Sequence, residues 1–289
     1  MNALQRTDDL LKLGEYSPAT IRNYLQELRF LFSYYCDVRP SQLTYQDTLN
    51  YLIYLNKTHG CSRVKSKMAA NSFAFFFRQV QNKPYKIPSV LFAAHSHKLP
   101  VVMSVQEVYD VIHALNNVKH KTLIIVLYST GMRLSEIAHL KMADIDSSLM
   151  RIKIVEGKGK KDRFVPLSQP VLLQLRLYYL QYRPAVYLFN GAGKGKKYAV
   201  RTIQHILQNT LVKIGLESKN YSVHSIRHSF ATHLIDNGAD LQLIQELLGH
   251  HHIAQTTQYL HLSSKRMHQT INPYDAMVDQ IGNPVNVVK

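Results

Sequence analysis

Side chains that could act on a phosphate group are concentrated in four short segments between Ser129 and Leu262. The segments are STGMRLSE with Arg133, EGKGKKDR with Lys158, VHSIRHSFATHL with His224 and Arg227, and LLGHHHIAQTTQYLHL with His250 and Tyr259. Guanidinium and ammonium groups bind phosphate oxygens, and histidine exchanges protons near neutral pH. A tyrosine hydroxyl, with a pKa of about 10, can become a nucleophile when a base accepts its proton. These residue types are compatible with chemistry on a phosphate ester.

Each of these residues also has a plainer explanation. Arg133 follows a predicted helix end and could simply interact with the last carbonyls. Tyr259 is one of eighteen tyrosines, and a tyrosine on a helix usually belongs to a core or an interface. Lys158 could be a lysine on a solvated loop, and GKGKK occurs a second time at 193–197, where Lys194 is interpreted in that way. Spacing within any one segment therefore does not decide between these alternatives.

The charge of the chain points to a polyanionic partner. Thirty-five Lys and Arg residues against nineteen Asp and Glu residues give a net charge of +16 and a pI near 9.7. Nucleic acid is the commonest partner of so basic a protein, and the alternatives are ribosome association or a solvated basic surface. The longest apolar stretch, around Leu123–Leu127, is too short to span a membrane, and the N-terminus lacks the features of a signal peptide. We expect a cytoplasmic protein.

Neither a nucleotide nor a metal is expected as a cofactor. Both GKGKK copies lack the Gly-Lys-Ser/Thr ending of a phosphate-binding P-loop. His224 and His228 lie four residues apart, but Ser225 stands where a zinc protease needs glutamate. The only cysteines, Cys36 and Cys61, are too few and too irregular for a zinc cluster or a disulfide framework. The sequence predicts no cofactor and no metal.

The first part of the chain is predicted to be helical throughout. Ser17 and Pro18 mark a helix start, Thr44 marks a second, and a third helix is expected from about Arg63 to Val80. Prolines and broken periodicity place a linker near Ser89–Pro100. The predicted domains are residues 1–95 and residues 101–289, the second including a C-terminal tail.

The second part is predicted to be helical around one β-hairpin. Ser104 and Glu107 form a capping box, and a helix from about Lys119 ends before Gly131. MRIKIV and RFVPL alternate in polarity on either side of GKGKKD, which predicts two strands joined by a lysine-rich tip. Further helices are predicted at about 170–182, 199–214, 224–236, 241–248 and 253–270. The fold class is mostly α with a small antiparallel β-sheet.

Taken together, the segments resemble the motif boxes of the tyrosine recombinase (phage integrase) family. GMRLSE, GKGKKDRFVPL, HSIRHSFATHL and LGHHHIAQTTQYLH follow one another in the family's order, and the resemblance covers essentially all of residues 101–270. The helical N-terminal part is similar to the family's core-binding domain. The chain begins almost directly with those helices, which resembles the Xer-type architecture without an arm-binding domain.

The resemblance implies six catalytic residues: Arg133, Lys158, His224, Arg227, His250 and Tyr259. Tyr259 would attack phosphorus and form a 3′-phosphotyrosyl bond, while Arg133 and Arg227 hold the non-bridging oxygens. His224 is the expected general base. Because the phosphotyrosine conserves the bond energy, religation would need neither ATP nor a metal.

The remaining roles concern the phosphate and the leaving group. The resemblance implies that His250 donates a hydrogen bond to the phosphate, and that Lys158 protonates the 5′-oxygen, with Lys160 and Lys161 as less favoured substitutes. Glu136 is expected to brace the arginine side of the pocket.

The resemblance further implies double-stranded DNA as the partner, held in a clamp of two domains. Four subunits would surround one synapse through a Holliday junction, although the free chain could be a monomer, and the tail could dock on a neighbour or fold back on its own domain. Two alternatives stay open: a type IB topoisomerase and a non-catalytic DNA-binding relative. Integration, inversion and dimer resolution are equally compatible with the sequence.

Overall fold

A computed structural model of the protein describes residues 2–92, 100–155, 162–191, 193, 195–250 and 252–262. The chain divides into two compact units, Met1–His97 and Lys98–Lys289. The predicted fold class is confirmed, since helices dominate and a three-stranded antiparallel sheet is the described β structure. Within the described residues, no helix has the length and apolar character needed to cross a bilayer.

The helices of the first unit are α1 (Ala3–Leu13), α2 (Pro18–Tyr34), α3 (Tyr45–His59) and α4 (Arg63–Phe75). Helix α2 begins where predicted, because the Ser17 hydroxyl accepts a hydrogen bond from the Thr20 backbone N–H. Helix α4 does not continue as one α-helix to Val80: the segment Phe76–Val80 is a π-helical turn. The wider turn allows the adjacent side chains of Phe76 and Phe77 both to enter the core.

The elements of the second unit are α5 (Val105–His113), α6 (Val118–Thr130), α7 (Leu134–His139), β1 (Ile145–Asp146), β2 (Arg151–Ile154), β3 (Arg163–Pro166), α8 (Gln169–Tyr182), α9 (Val200–Lys213), α10 (Val223–Asp236), α11 (Leu241–Leu248) and α12 (Ala254–Thr257). Their core is built largely from leucine, isoleucine and valine. The prediction of one continuous helix at 253–270 is wrong. Over its described part, α12 is followed by a tighter 3₁₀ turn, Gln258–His261.

The predicted hairpin is present as strands β2 and β3. Ile152 pairs with Val165 and both are buried, while Ile154 pairs with Arg163 next to the tip. The tip itself, residues 156–161, lies outside the described residues, and the predicted catalytic Lys158 lies there with it. Arg163 is the first residue of strand β3, and the strand places its side chain beside helix α11.

Two glycines allow helices to end where the functional residues begin. Gly131 ends α6 with a left-handed φ of 60°, and a Cβ there would lie 2.3 Å from the ring of Phe230. Gly249 ends α11 with a φ of 62°, and its Cβ would lie 3.1 Å from the side chain of Arg163. Only a residue without a side chain fits both the backbone angle and the space.

Candidate active site

The candidate site forms where the ends of three helices meet. Arg133 is the N-cap residue of α7, directly after the turn at Gly131. Arg227 lies on α10, and His250 follows the glycine that ends α11. Tyr259 lies in the 3₁₀ turn after α12. The structure thus brings together four of the six predicted residues, which are spread along the chain from position 133 to position 259.

The C-terminal end of α11 is the scaffold for the arginines of this site. The last carbonyls of a helix lack intrahelical partners and carry the negative end of the helix dipole. Three consecutive carbonyls here each accept a hydrogen bond from a different guanidinium. The pairs are Leu247 O with Arg163 Nε (2.8 Å), Leu248 O with Arg227 Nη2 (2.7 Å) and Gly249 O with Arg133 Nη2 (3.0 Å).

A single carboxylate, Glu136, joins two of these arginines. It accepts from Arg133 Nη1 at 2.8 Å, and from Arg163 Nη1 and Nη2 at 3.0 and 2.8 Å. Its side chain is 5% exposed. Burial favours the neutral acid, but the hydrogen bonds and charges of Arg163, and then Arg133, prevail and lower the pKa of Glu136 to about 2. The predicted role of Glu136 at the arginine side of the pocket agrees with these contacts.

Arg227 is the most deeply buried arginine of the site, with 6% of its surface exposed. Its Nη1 donates to the carbonyl of Gly131 at 2.6 Å, and its Nη2 lies 3.1 Å from Nε2 of His250. Burial, followed by repulsion from Arg133, lowers its pKa to about 10. The guanidinium therefore stays charged at neutral pH, in surroundings where its charge is weakly screened.

The contacts of His250 define its tautomer. Because the guanidinium of Arg227 can only donate, Nε2 of His250 accepts, and the ring proton lies on Nδ1. Nδ1 then donates to the buried Thr256 hydroxyl at 2.9 Å. Burial, and then the charges of Arg227 and Arg133, lower the pKa of His250 to about 4. At neutral pH this histidine is uncharged and held on both sides.

Tyr259 is 1% exposed, and its hydroxyl lies 2.9 Å from Nδ1 of His228. Its ring is parallel to that of His250, with centroids 6.3 Å apart. Burial raises the pKa of Tyr259, although the charges of Arg227 and Arg133 oppose this effect. Burial, and then His224 and Arg227, lower the pKa of His228 to about 4. A neutral histidine and a protonated tyrosine are therefore paired in the free chain.

The predicted base, His224, is placed differently. It is exposed on the first turn of α10, and among the described residues the Tyr259 hydroxyl is hydrogen-bonded to His228, not to His224. His228 lies one helical turn further on, and its spacing from His224 had suggested only a metal site, which the sequence did not support. The four-residue spacing, which puts both histidines on one helix face, was the signal that could have found it.

Arg163 and Thr256 were also missed. Both lie within the motif boxes. The partners of Arg163 are far away in sequence, and the contact of Thr256 depends on a turn that periodicity does not predict. Among the described residues, no group of three or more His, Cys, Asp or Glu side chains is arranged to hold a metal. The described site therefore consists of three guanidiniums with one shared carboxylate, two neutral histidines and one phenol. This arrangement can stabilise negative charge next to a nucleophile.

Family models match both parts of the chain. The phage integrase family matches residues 102–266, and the phage integrase N-terminal SAM-like domain matches residues 4–87. A putative integrase/recombinase, y4qK, of Sinorhizobium fredii is 31% identical over 274 residues, which cover 94% of this chain and 88% of that protein. The tyrosine recombinase XerD of Staphylococcus saprophyticus is 33% identical over 203 residues, which cover 65% of this chain and 68% of that protein.

A solved structure shares the fold. The XerH site-specific recombinase, in a post-cleavage complex with a palindromic difH substrate, is 21% identical with a TM-score of 0.67, over 86% of this chain and 77% of that chain. The family match covers more than half of the chain, and the first of the two relatives spans nearly all of it. This chain therefore belongs to the phage integrase family and is a tyrosine recombinase that catalyses site-specific recombination.

Proposed function

We propose that Tyr259 is the nucleophile, and that it cuts one DNA strand at a time. The bond from its Oη to phosphorus forms as the bond from phosphorus to the 5′-oxygen breaks, which gives a 3′-phosphotyrosyl intermediate and a free 5′-hydroxyl. A 5′-hydroxyl from the partner strand then reverses the step and creates a Holliday junction. The observation that carries this proposal is the position of the phenol, whose ring lies parallel to that of His250 at 6.3 Å while His250 contacts Arg227.

Arg133 and Arg227 are proposed to bind the non-bridging oxygens of the scissile phosphate. A guanidinium has five N–H donors. Hydrogen bonds to other described residues engage two of these in Arg133 and three in Arg227, so each has donors available to a phosphate. Since both groups are charged and largely buried, they can stabilise the transition state without first reorganising.

Proton transfer is proposed to use the histidines and the hairpin lysine. A hydroxyl as buried as that of Tyr259 has to move outward before it can reach phosphorus. His224 is exposed one turn before His228 and can meet the hydroxyl there as general base. His250 is proposed to donate to the phosphate, for which its Nε2, an acceptor from Arg227 in the free chain, has to gain a proton. Lys158, outside the described residues, is proposed to protonate the leaving 5′-oxygen.

Double-stranded DNA is the proposed partner. The net charge of +16 supports this, as does the DNA substrate of the XerH complex. The first unit is proposed to act as the core-binding domain that contacts the duplex. The synaptic complex is proposed to contain four copies of a chain that is a monomer when free, in the cytoplasm on the nucleoid. The tail after Tyr259 is proposed to dock on a neighbouring copy.

A covalent trap tests the proposal. The protein is incubated with labelled suicide substrates in which a nick lets the cleaved fragment diffuse away, and adducts that survive SDS are counted. Tyr259→Phe, which keeps the ring but lacks the hydroxyl, serves as the matched control. An adduct that is absent from this variant supports the assignment. An adduct that persists in the variant refutes it, and so does recombination by the wild type on substrates that never trap an adduct.

A further inference from the structure

The carboxylate of Glu136 is saturated by four hydrogen bonds. Oε1 accepts from Arg133 Nη1 and Arg163 Nη1, while Oε2 accepts from Arg163 Nη2 and from the backbone N–H of Arg133 at 2.7 Å. The guanidinium of Arg163 binds both oxygens in the bidentate geometry that it offers a carboxylate, whereas the guanidinium of Arg133 binds Oε1 only. The position of the carboxylate, and with it one contact of Arg133, therefore depends on Arg163.

Arg163 is itself anchored independently of Glu136. Its Nε donates to the carbonyl of Leu247, and its side chain is 10% exposed. Its Cδ, Nη1 and Nε approach Gly249 so closely that a Cβ on the glycine would lie 3.1 to 3.3 Å from them. Arg133 is held in a similar way, since it binds Glu136 and a different carbonyl of the same helix end, that of Gly249. The two arginines thus lie side by side on one carboxylate and one helix end.

The number of charges explains why two arginines share one carboxylate. If Glu136 had only Arg133 as its partner, a buried ion pair would form, and its positive charge would be largely cancelled. Because Arg163 binds both oxygens, its positive charge balances the negative charge of Glu136 without Arg133. Arg133 then keeps a net positive charge for an anionic ligand.

We propose that Arg163 is a positioning residue for strand cleavage, which holds Glu136 so that the guanidinium of Arg133 stays oriented and charged toward the scissile phosphate. The inference rests on the proposed role of Arg133 as a phosphate ligand. A purely structural alternative exists, in which Arg163 only ties strand β3 to the end of α11. The two differ in what happens when Glu136 is changed at the same time.

The test compares single-turnover cleavage of a suicide substrate by Arg163→Gln and by Arg163→Gln combined with Glu136→Gln. Loss of Arg163 alone should slow cleavage by about 10²-fold, the usual effect of losing charge stabilisation at a transition state. Neutralising Glu136 as well removes the anion that captures Arg133, so the double variant should recover by at least about tenfold. A double variant as slow as the single one, or slower, overturns the proposal.

Two further measurements separate the possible causes of slow cleavage by Arg163→Gln. Arg151→Gln, on the neighbouring strand and paired with Asp146, is the matched control and should cleave at the wild-type rate. A substrate with a 5′-bridging sulfur, whose thiolate leaves without protonation, should not rescue Arg163→Gln. Rescue would show that the variant impairs protonation of the leaving group and would overturn the role assigned through Arg133.

Failure of the role proposed for Arg163 can be distinguished from failure of the proposed function. If wild-type protein forms an adduct that Tyr259→Phe lacks, the proposed nucleophile stands whatever Arg163 does. Normal adduct formation by a folded Arg163→Gln variant contradicts the positioning role alone. If thermal unfolding shows that this variant does not fold, Arg163→Lys is used instead, because it keeps the positive charge but cannot bind both carboxylate oxygens in the bidentate geometry. It should cleave at least about tenfold slower than wild type, and wild-type cleavage by it overturns the proposal.

Discussion

The hydroxyl of Tyr259 forms a 2.9 Å hydrogen bond with Nδ1 of His228, and this bond holds the phenol in the interior. Burial raises the pKa of the tyrosine, and it is the largest cause lowering that of the histidine to about 4. Proton transfer between the two is therefore strongly uphill in the free chain. His228 stabilises the resting position of the tyrosine and does not act there as an effective base.

Replacing His228 with Leu should destabilise the protein measurably. The change leaves the buried tyrosine hydroxyl without its partner, which costs roughly 1–3 kcal/mol of unfolding free energy. Urea unfolding of His228→Leu, Tyr259→Phe and the double variant measures this cost as a double-mutant cycle. The double variant should lose less than the sum of the two single losses. Strict additivity would show that the hydrogen bond contributes nothing to stability.

Stability should fall when the pH drops from about 6.5 to about 4. The folded-state pKa values of His228 and His250 are both lowered to about 4, so the unfolded chain binds protons in this window that the folded chain does not. After allowance for partial solvent screening, each histidine should contribute on the order of 2 kcal/mol. Glu136 contributes only below about pH 4.5, because its stabilising effect is lost between the ordinary pKa of a glutamate and its folded-state pKa of about 2.

The pH effect is measured by urea unfolding at pH 7, 5.5 and 4.5. Burial also lowers the pKa of His120 and His233, so a variant lacking both His228 and His250 should keep part of the slope. A slope unchanged by removing both histidines would contradict the assignment.

Gly249→Ala should damage the site, whereas Gly60→Ala should affect stability alone. Both glycines end helices with a left-handed φ, so each alanine costs roughly 1–2 kcal/mol of backbone strain. A Cβ at Gly60 meets nothing within 4 Å, but at Gly249 it presses on the side chain of Arg163. Cleavage by Gly249→Ala should fall by at least about tenfold, since misplacing a catalytic group is costly. Equal cleavage rates for the two variants would show that the contact with Arg163 has no role in the reaction.

Local sequence signals predicted most of the helices that position the site. The capping box at Ser104 and the terminal glycines Gly131 and Gly249 act within a few residues, so α5, α6 and α11 could be placed from the sequence. The same signals could not show that Arg163 binds the carbonyl of Leu247, because that contact spans 84 positions. The resemblance identified residues of the site, but it did not show which side chains and carbonyls they bind.

The last helix shows the same limit at short range. Apolar spacing predicted one helix from 253, but the chain tightens into a 3₁₀ turn at Gln258. Thr256, just before it, is buried and accepts a hydrogen bond from His250. Periodicity describes which face of a helix is buried, and it does not detect a side chain that fixes a turn by binding a histidine six residues earlier.

Thr256→Val should impair cleavage, while the same change at the adjacent Thr257 should not. Valine has the shape of threonine without the hydroxyl, so the ring N–H of His250 would lose its acceptor in a buried site, at a cost of roughly 1–3 kcal/mol. The ring could then rotate away from Arg227, and we expect single-turnover cleavage to slow by about tenfold, a typical share of proton-transfer or hydrogen-bonding catalysis.

Thr257 is the matched control because its hydroxyl bonds only to the backbone carbonyl of Ala254 among the described residues. Cleavage of a suicide substrate and urea unfolding are measured for both valine variants. If Thr256→Val loses stability but cleaves at the wild-type rate, the orientation of His250 by Thr256 is irrelevant to the chemistry. If both variants slow cleavage equally, the effect belongs to the turn as a whole and not to the hydrogen bond.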